Sequence, residues 1–215
     1  MLHNVLRRSR VLLLSALVLA GPVACAQGYS EGVQFTALTP PQPTNVEKGK
    51  VEVVEVFWYG CPHCFAIEPK FKAWQQDTMP KNVQVVLVPA TWNDLVKLHA
   101  RVYYTAELLK KLPQLHEEIF REINVRGNHL ETPAKIEKFF TSHGIAKQDF
   151  DKVWNSFGIE SKLRRADELA RSYKVTGTPA FVVNGRWLTD VKDAGGEDQL
   201  FKVLTYLTER EKPAK

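Results

Sequence analysis

The chain has 215 residues, 44% hydrophobic and 25% charged, with a formal net charge of +5. That balance is ordinary for a globular protein, and its Lys and Arg residues are scattered without interleaved aromatics, which argues against a nucleic-acid-binding stripe. Its three cysteines, Cys25, Cys61 and Cys64, are too few for a disulfide-scaffolded secreted domain.

Residues 1–26 read as a secretory signal peptide. Arg7, Arg8 and Arg10 form a basic n-region, and Val11 to Ala20 form an apolar h-region too short for a bilayer span. Gly21 and Pro22 break it, and Ala24-Cys25-Ala26 fits the small-x-small cleavage rule, with the cut before Gln27. The competing readings are an uncleaved anchor, a lipidated Cys25 and twin-arginine export through Arg7-Arg8. Pro22 stands where a lipoprotein site wants leucine. Cleavage removes three of the positive charges, taking +5 to +2, and removes Cys25. About 190 residues remain, enough for one domain or a domain with an insertion.

Gln34 to Leu38 is a candidate edge strand, and Pro40-Pro41-Gln42-Pro43 a stiff loop. Val51 to Tyr59, β-branched and aromatic, predicts a buried strand ended by Gly60. Pro62 suits the first turn of a helix whose apolar face is Phe65, Ile67, Phe71 and Trp74, with a kink expected at Pro69. Asn82 to Val88 predicts a second buried strand, completing a β-α-β unit. From Asn93 to Phe157 the periodicity is helical: Leu95, Leu98, Val102 and Ala106; Leu115, Ile119 and Ile123; Ile136, Phe139 and Phe140 after a Thr132-Pro133 cap; and Phe150, Val153 and Trp154. Another amphipathic helix is predicted from Ser161 to Tyr173. Ala180 to Val183 and Arg186 to Leu188 flank Asn184-Gly185, a strong hairpin signal. A last helix, Glu197 to Leu207, carries Leu200, Phe201, Leu204 and Leu207, and the charged tail after Thr208 is expected to fray. The predicted class is α/β, a mixed sheet flanked by helices with an all-helical insertion.

Cys61-Pro62-His63-Cys64 carries the chemistry. Two thiols at this spacing can close a disulfide if Cys61 sits at the mouth of the helix that Cys64 has entered. Cys61 then presents an exposed sulfur at the positive end of a helix dipole, which stabilises its thiolate and makes it a good leaving group. So small a loop adds little stability through chain entropy. With no other cysteine in the exported chain, the pair is suited to exchange rather than to cross-linking.

With these features the chain resembles the DsbA-type periplasmic dithiol oxidases of the thioredoxin superfamily, over nearly all of its mature length. The middle pair Pro62-His63 is the one usual in that family, Thr178-Pro179 before the strand at Ala180 looks like its cis-proline loop, and the helical block lies where the family has its insertion. The resemblance implies a thioredoxin fold over residues 27–92 and 159–208, a helical insertion over 93–158 and a charged tail over 209–215. Cys61 would be the attacked sulfur and Cys64 its partner, with the His63 imidazole stabilising the Cys61 thiolate. Thr178 and cis-Pro179 would face the sulfurs and pair with substrate backbone. Thr178 replaces the valine common in the best-known members, and its hydroxyl can donate to the Cys61 thiolate. Glu55, six residues before Cys61, matches the family's buried acid, a proton relay for Cys64. Glu52 is out of phase, and the lysine that partners the acid in some relatives has no match in Val83 to Val88. Glu68 is read equally as a solvated residue or as one tuning the site.

The implied activity is dithiol oxidation of newly exported proteins in the periplasm, by a monomer without a cofactor, with reoxidation by a DsbB-type membrane quinone reductase and no role for nucleic acid. Trp58 and Phe65 are expected on an apolar surface around the site. A reductase or isomerase of the same superfamily is the alternative, although residues 27–50 are too short for an isomerase's dimerisation domain. A metal-binding module built on the Cys pair and on His99, His116, His129 or His143 is the reading from another class, and no second Cys pair supports it.

Overall fold

A computed structural model describes residues 28–211. The signal peptide expected over 1–26 lies outside the described residues, as do residues 212–215. The chain runs β1 (Thr36–Ala37), β2 (Val51–Phe57), α1 (Pro62–Asp77), β3 (Val83–Pro89), α2 (Asp94–Leu108), α3 (Leu112–Asn124), α4 (Pro133–Ser142), α5 (Lys147–Trp154), α6 (Phe157–Ser172), β4 (Ala180–Val183), β5 (Trp187–Asp190) and α7 (Glu197–Arg210). The strands form one five-stranded sheet in the order β1-β5-β4-β2-β3. β2 pairs parallel with β3 across the α1 crossover and antiparallel with β4, placing Glu55 beside Leu87 and Phe181.

β2 is central, and every one of its residues is buried, as an uninterrupted Val-rich run with helices on both faces should be. On one face Val53, Phe181 and Val183 pack with Ile67, Phe71 and Trp74 of α1 and Leu200, Leu204 and Leu207 of α7. On the other, Val54, Val56 and Val182 pack with Val96, Ala100 and Val102 of α2 and Leu163 and Ala166 of α6. Each such side chain taken fully from water contributes about 1.5–3 kcal/mol. Glu52 and Glu55, three residues apart on a strand, therefore face opposite layers. Glu52 accepts from the Asn45 amide at 2.8 Å and feels Arg165.

Several boundaries differ from the sequence reading for identifiable reasons. β2 stops at Phe57 because residues 58–61 turn into α1, the Cys61 amide donating to the Trp58 carbonyl at 3.0 Å. α6 starts at Phe157 rather than Ser161, because the Ser156 hydroxyl caps it by accepting from the Ile159 amide. α1 continues through Pro69. The hairpin turns at Asn184 (φ 51°) and Gly185 (φ 62°), and a Cβ on Gly185 would lie 2.0 Å from the Gln42 carbonyl oxygen. Glycine is required there on both counts. The fraying expected after Thr208 is corrected for residues 209–211, the rest of the tail lying outside the described residues: α7 runs to Arg210, and the Glu211 carboxylate accepts from the Trp187 indole at 2.7 Å and the Asn184 amide at 2.8 Å.

Phe181 is fully buried and meets Phe71 edge-on, with ring centroids 5.3 Å apart. Phe181→Ala is expected to cost about 3–5 kcal/mol, read as a lower guanidinium midpoint with an unchanged slope.

Candidate active site

The site is built where β2 hands over to α1. Cys61 is the N-cap residue with extended backbone, and Pro62 occupies the first turn. Amides at a helix start have no intrahelical acceptor, so they point out along the axis toward the Cys61 sulfur. Pro62, lacking an N–H, sacrifices nothing there. Cys64, the third residue of α1, has no accessible surface.

This arrangement drives the two thiols apart. The Cys61 pKa falls from 9.0 to about 5, chiefly because the Cys64 thiol donates to its sulfur. Burial opposes the shift, while the Thr178 hydroxyl and the backbone N–H groups of Cys64 and His63 support it. Cys64 is pushed well up from 9.0 by burial, by giving its hydrogen to Cys61 and by the nearby Glu55 and Cys61 charges, with only the Trp58 amide opposing. The expectation of an exposed Cys61 is corrected: only 6% of the residue is accessible, because the loop at Thr178-Pro179 closes over it. As a thiol, Cys61 donates to the Thr178 carbonyl at 3.4 Å. The Thr178-Pro179 bond is cis.

His63 stands differently from the sequence expectation. Its side chain is exposed, and what it gives Cys61 is its backbone N–H. In the first turn of a helix the amide points along the axis while the side chain projects away from it. The imidazole instead lines a groove of about 300 Å³ with Thr178, Pro179, Asp190, Lys192 and Glu197. Of the two aromatics expected around the site, Trp58 and Phe65 are both half-buried.

Beneath the sulfurs, Glu55 is 1% exposed, and its Oε1 has no hydrogen-bond partner among the described residues. Burial, then the Glu68 and Cys61 charges, lift its pKa well above 4.5. The second carboxyl settles the reading of Glu68, which is no ordinary solvated residue. Burial raises it to about 7, and its Oε1 lies 3.6 Å from His116 Nε2. Burial holds His116 down near 4, so it is neutral at pH 7.

Residues 88–207 match the family model described as the DSBA-like thioredoxin domain. The chain is 36% identical to the thiol:disulfide interchange protein DsbA of Pseudomonas aeruginosa over 209 residues, covering 95% of this chain and 98% of that protein. The chain belongs to the DsbA family. Its Azotobacter vinelandii relative of the same name is 36% identical over 211 residues, covering 92% and 98% of the two chains. The crystal structure of P. aeruginosa DsbA superposes with a TM-score of 0.80 at 36% identity, over 85% of this chain and 94% of that one. DsbA from Xylella fastidiosa gives 0.79 at 28% identity, over 86% and 99%. The fold is thus the thioredoxin fold with a helical insert, and the protein is a thiol:disulfide oxidoreductase that donates disulfides.

Sequence reasoning missed how this DsbA-family site is gripped by its insert. The Tyr59 hydroxyl is hydrogen-bonded to His116 Nδ1 at 2.8 Å, and the Tyr59 carbonyl accepts from the Asn124 amide at 2.8 Å. The Trp58 indole donates to His99 Nδ1 at 2.9 Å. The available signal was two polar-tipped aromatics directly before Gly60, each of which needs a partner when buried.

Absorbance at 240 nm of the reduced protein is expected to show the Cys61 thiolate forming near pH 5, and Thr178→Val to move this upward. A lowered folded-state pKa adds stability that is complete above the unfolded value and lost as pH falls through the folded one. Stability of the reduced protein relative to Cys61→Ser should therefore decline as pH falls from 9.0 toward about 5.

Proposed function

We propose that this protein oxidises newly exported proteins in the periplasm with its Cys61–Cys64 disulfide and is recharged by a DsbB-type membrane quinone reductase. The observation that carries this reading is the opposite displacement of the two thiols, Cys61 down to about 5 and Cys64 well above 9.0. Stabilising the reduced pair as one thiolate and one thiol makes the disulfide a stronger oxidant. The family of the relatives and the leader-like residues 1–26 support the location.

A substrate thiolate attacks the Cys61 sulfur; the Cys61–Cys64 bond breaks and its electrons leave on Cys64, which takes up a proton. We assign Glu55 as the group that holds that proton, because burial lifts its carboxyl well above 4.5 and so favours the protonated acid. A second substrate thiolate then attacks the substrate sulfur of the mixed disulfide and expels Cys61 as a thiolate. Two substrate thiols become a disulfide, and the protein is left with one thiolate and one thiol. The groove beside Pro179 offers the extended substrate backbone a place to pair, and the exposed His63 imidazole faces that same groove. No cofactor takes part, and the protein acts as a monomer on protein thiols. The proposed division is a thioredoxin-like unit over 27–92 and 159–208 carrying the insertion 93–158.

Oxidation of a dithiol peptide is expected to vanish in Cys61→Ser, and a Cys61–Cys64 potential as reducing as thioredoxin's would sink the oxidase reading. Glu55→Gln, with its ordinary amide in place of the acid, is expected to slow release of Cys64 by up to about 10²-fold in stopped flow. The initial Cys61 titration should persist in that variant.

A further inference from the structure

Trp58 meets both cysteines through its backbone. Its carbonyl accepts from the Cys61 amide at 3.0 Å, and its own amide faces the Cys64 sulfur. Its ring lies so close over Gly60 that a Cβ there would meet Cζ2 at 2.4 Å. The peptide groups that orient the two cysteines are therefore set by where the Trp58 ring is held.

The group that holds it comes from the helical insert. His99 on α2 is 2% exposed, and its ring lies nearly coplanar with the indole, at an interplanar angle of 26° and a centroid distance of 6.1 Å. Both of its nitrogens are used: Nδ1 at 2.9 Å from the Trp58 indole nitrogen and Nε2 at 2.9 Å from the His129 carbonyl. An indole can only donate and a carbonyl can only accept. The ring must then be neutral, bare at Nδ1 and protonated at Nε2. Any proton added to Nδ1 destroys the bond to Trp58.

We propose that His99 is a positioning residue for disulfide exchange: its neutral, Nε2-protonated ring holds the Trp58 indole over Gly60 and so fixes the peptide groups that bracket Cys61 and Cys64. This rests on the assignment of Cys61 as the attacked sulfur. It gives the insert a part in tuning the thiol pair from a residue that touches neither sulfur. Burial, above all, keeps His99 below 6.5; the bond to the His129 carbonyl opposes this, the His129 charge adds to it, and Glu131 opposes it. Acidification far enough to protonate His99, below the ordinary histidine range, should release the indole and loosen the loop.

Histidine ring ¹⁵N spectra of the reduced wild-type protein at neutral pH test the tautomer directly. A bare Nδ1 is expected, together with a Trp58 indole N–H resonance that shifts when His99 is protonated; an Nδ1-protonated ring, or an indole blind to His99, would overturn the proposal. His99→Leu, which removes the acceptor, should raise the Cys61 thiolate titration and slow dithiol-peptide oxidation roughly tenfold. His99→Asn, which restores an acceptor near Nδ1, should recover both. A folded His99→Leu protein with the wild-type titration and rate refutes the idea. Trp58→Phe keeps a ring but no donor, and so should raise the titration as His99→Leu does; an unshifted Cys61 there refutes it independently. The spectra and titrations need no substrate, so failure of the wild-type protein to oxidise the peptide would strike the oxidase reading and leave this one standing.

Discussion

Because Cys64 lies inside the first turn of α1 with the sheet behind it, its sulfur is beyond the reach of water and of any basic side chain. A thiolate at that place is penalised by burial and again by Glu55, so the sulfur keeps its hydrogen. The acceptor that gains by it is Cys61, at the helix mouth. One buried hydrogen bond thereby makes two chemically identical residues unlike: a leaving group on one side, a proton-demanding thiol on the other. The rest of the site serves that difference, with Thr178 adding a donor to the first sulfur and Glu55 adding to the cost of a thiolate at the second whenever it is ionised.

The acids beneath the pair follow the same logic. The Glu68 charge adds to the cost of ionising Glu55, while at Glu68 itself Lys72 favours the carboxylate and Glu117 opposes it. Burial raises both carboxyls, Glu68 to about 7, and His116 stays neutral beside them. A cluster in which few members are charged is the state in which a buried site is least costly. It also leaves a proton available under Cys64, where bond breaking creates the demand for one.

The inserted helices are part of this site. α2 and α3 send His99, His116 and Asn124 to the two residues just before Gly60, and each of the three contacts spans more than forty positions of sequence. The active-site loop is thus clamped between two units of the chain, and rigid placement of the sulfurs is what exchange within a small disulfide ring demands.

Much of this molecule was legible in the sequence because it follows from local rules. Val51 to Tyr59 reads as a buried strand, Asn184-Gly185 as a tight hairpin, and Pro62 and the cysteine spacing place one sulfur at a helix mouth and the other inside. The redox pair, the Thr178-Pro179 loop and the acid at Glu55 follow from those elements and from the family resemblance. What the sequence could not decide was where side chains went when two layers met. The near burial of Cys61, the outward turn of the His63 ring, the docking of Glu211 onto Trp187 and the pairing of Trp58 and Tyr59 with histidines of the insert are all long-range contacts. No periodicity encodes them. They are decided only when the sheet, α1 and the insert close on one another and each buried polar group must find a partner.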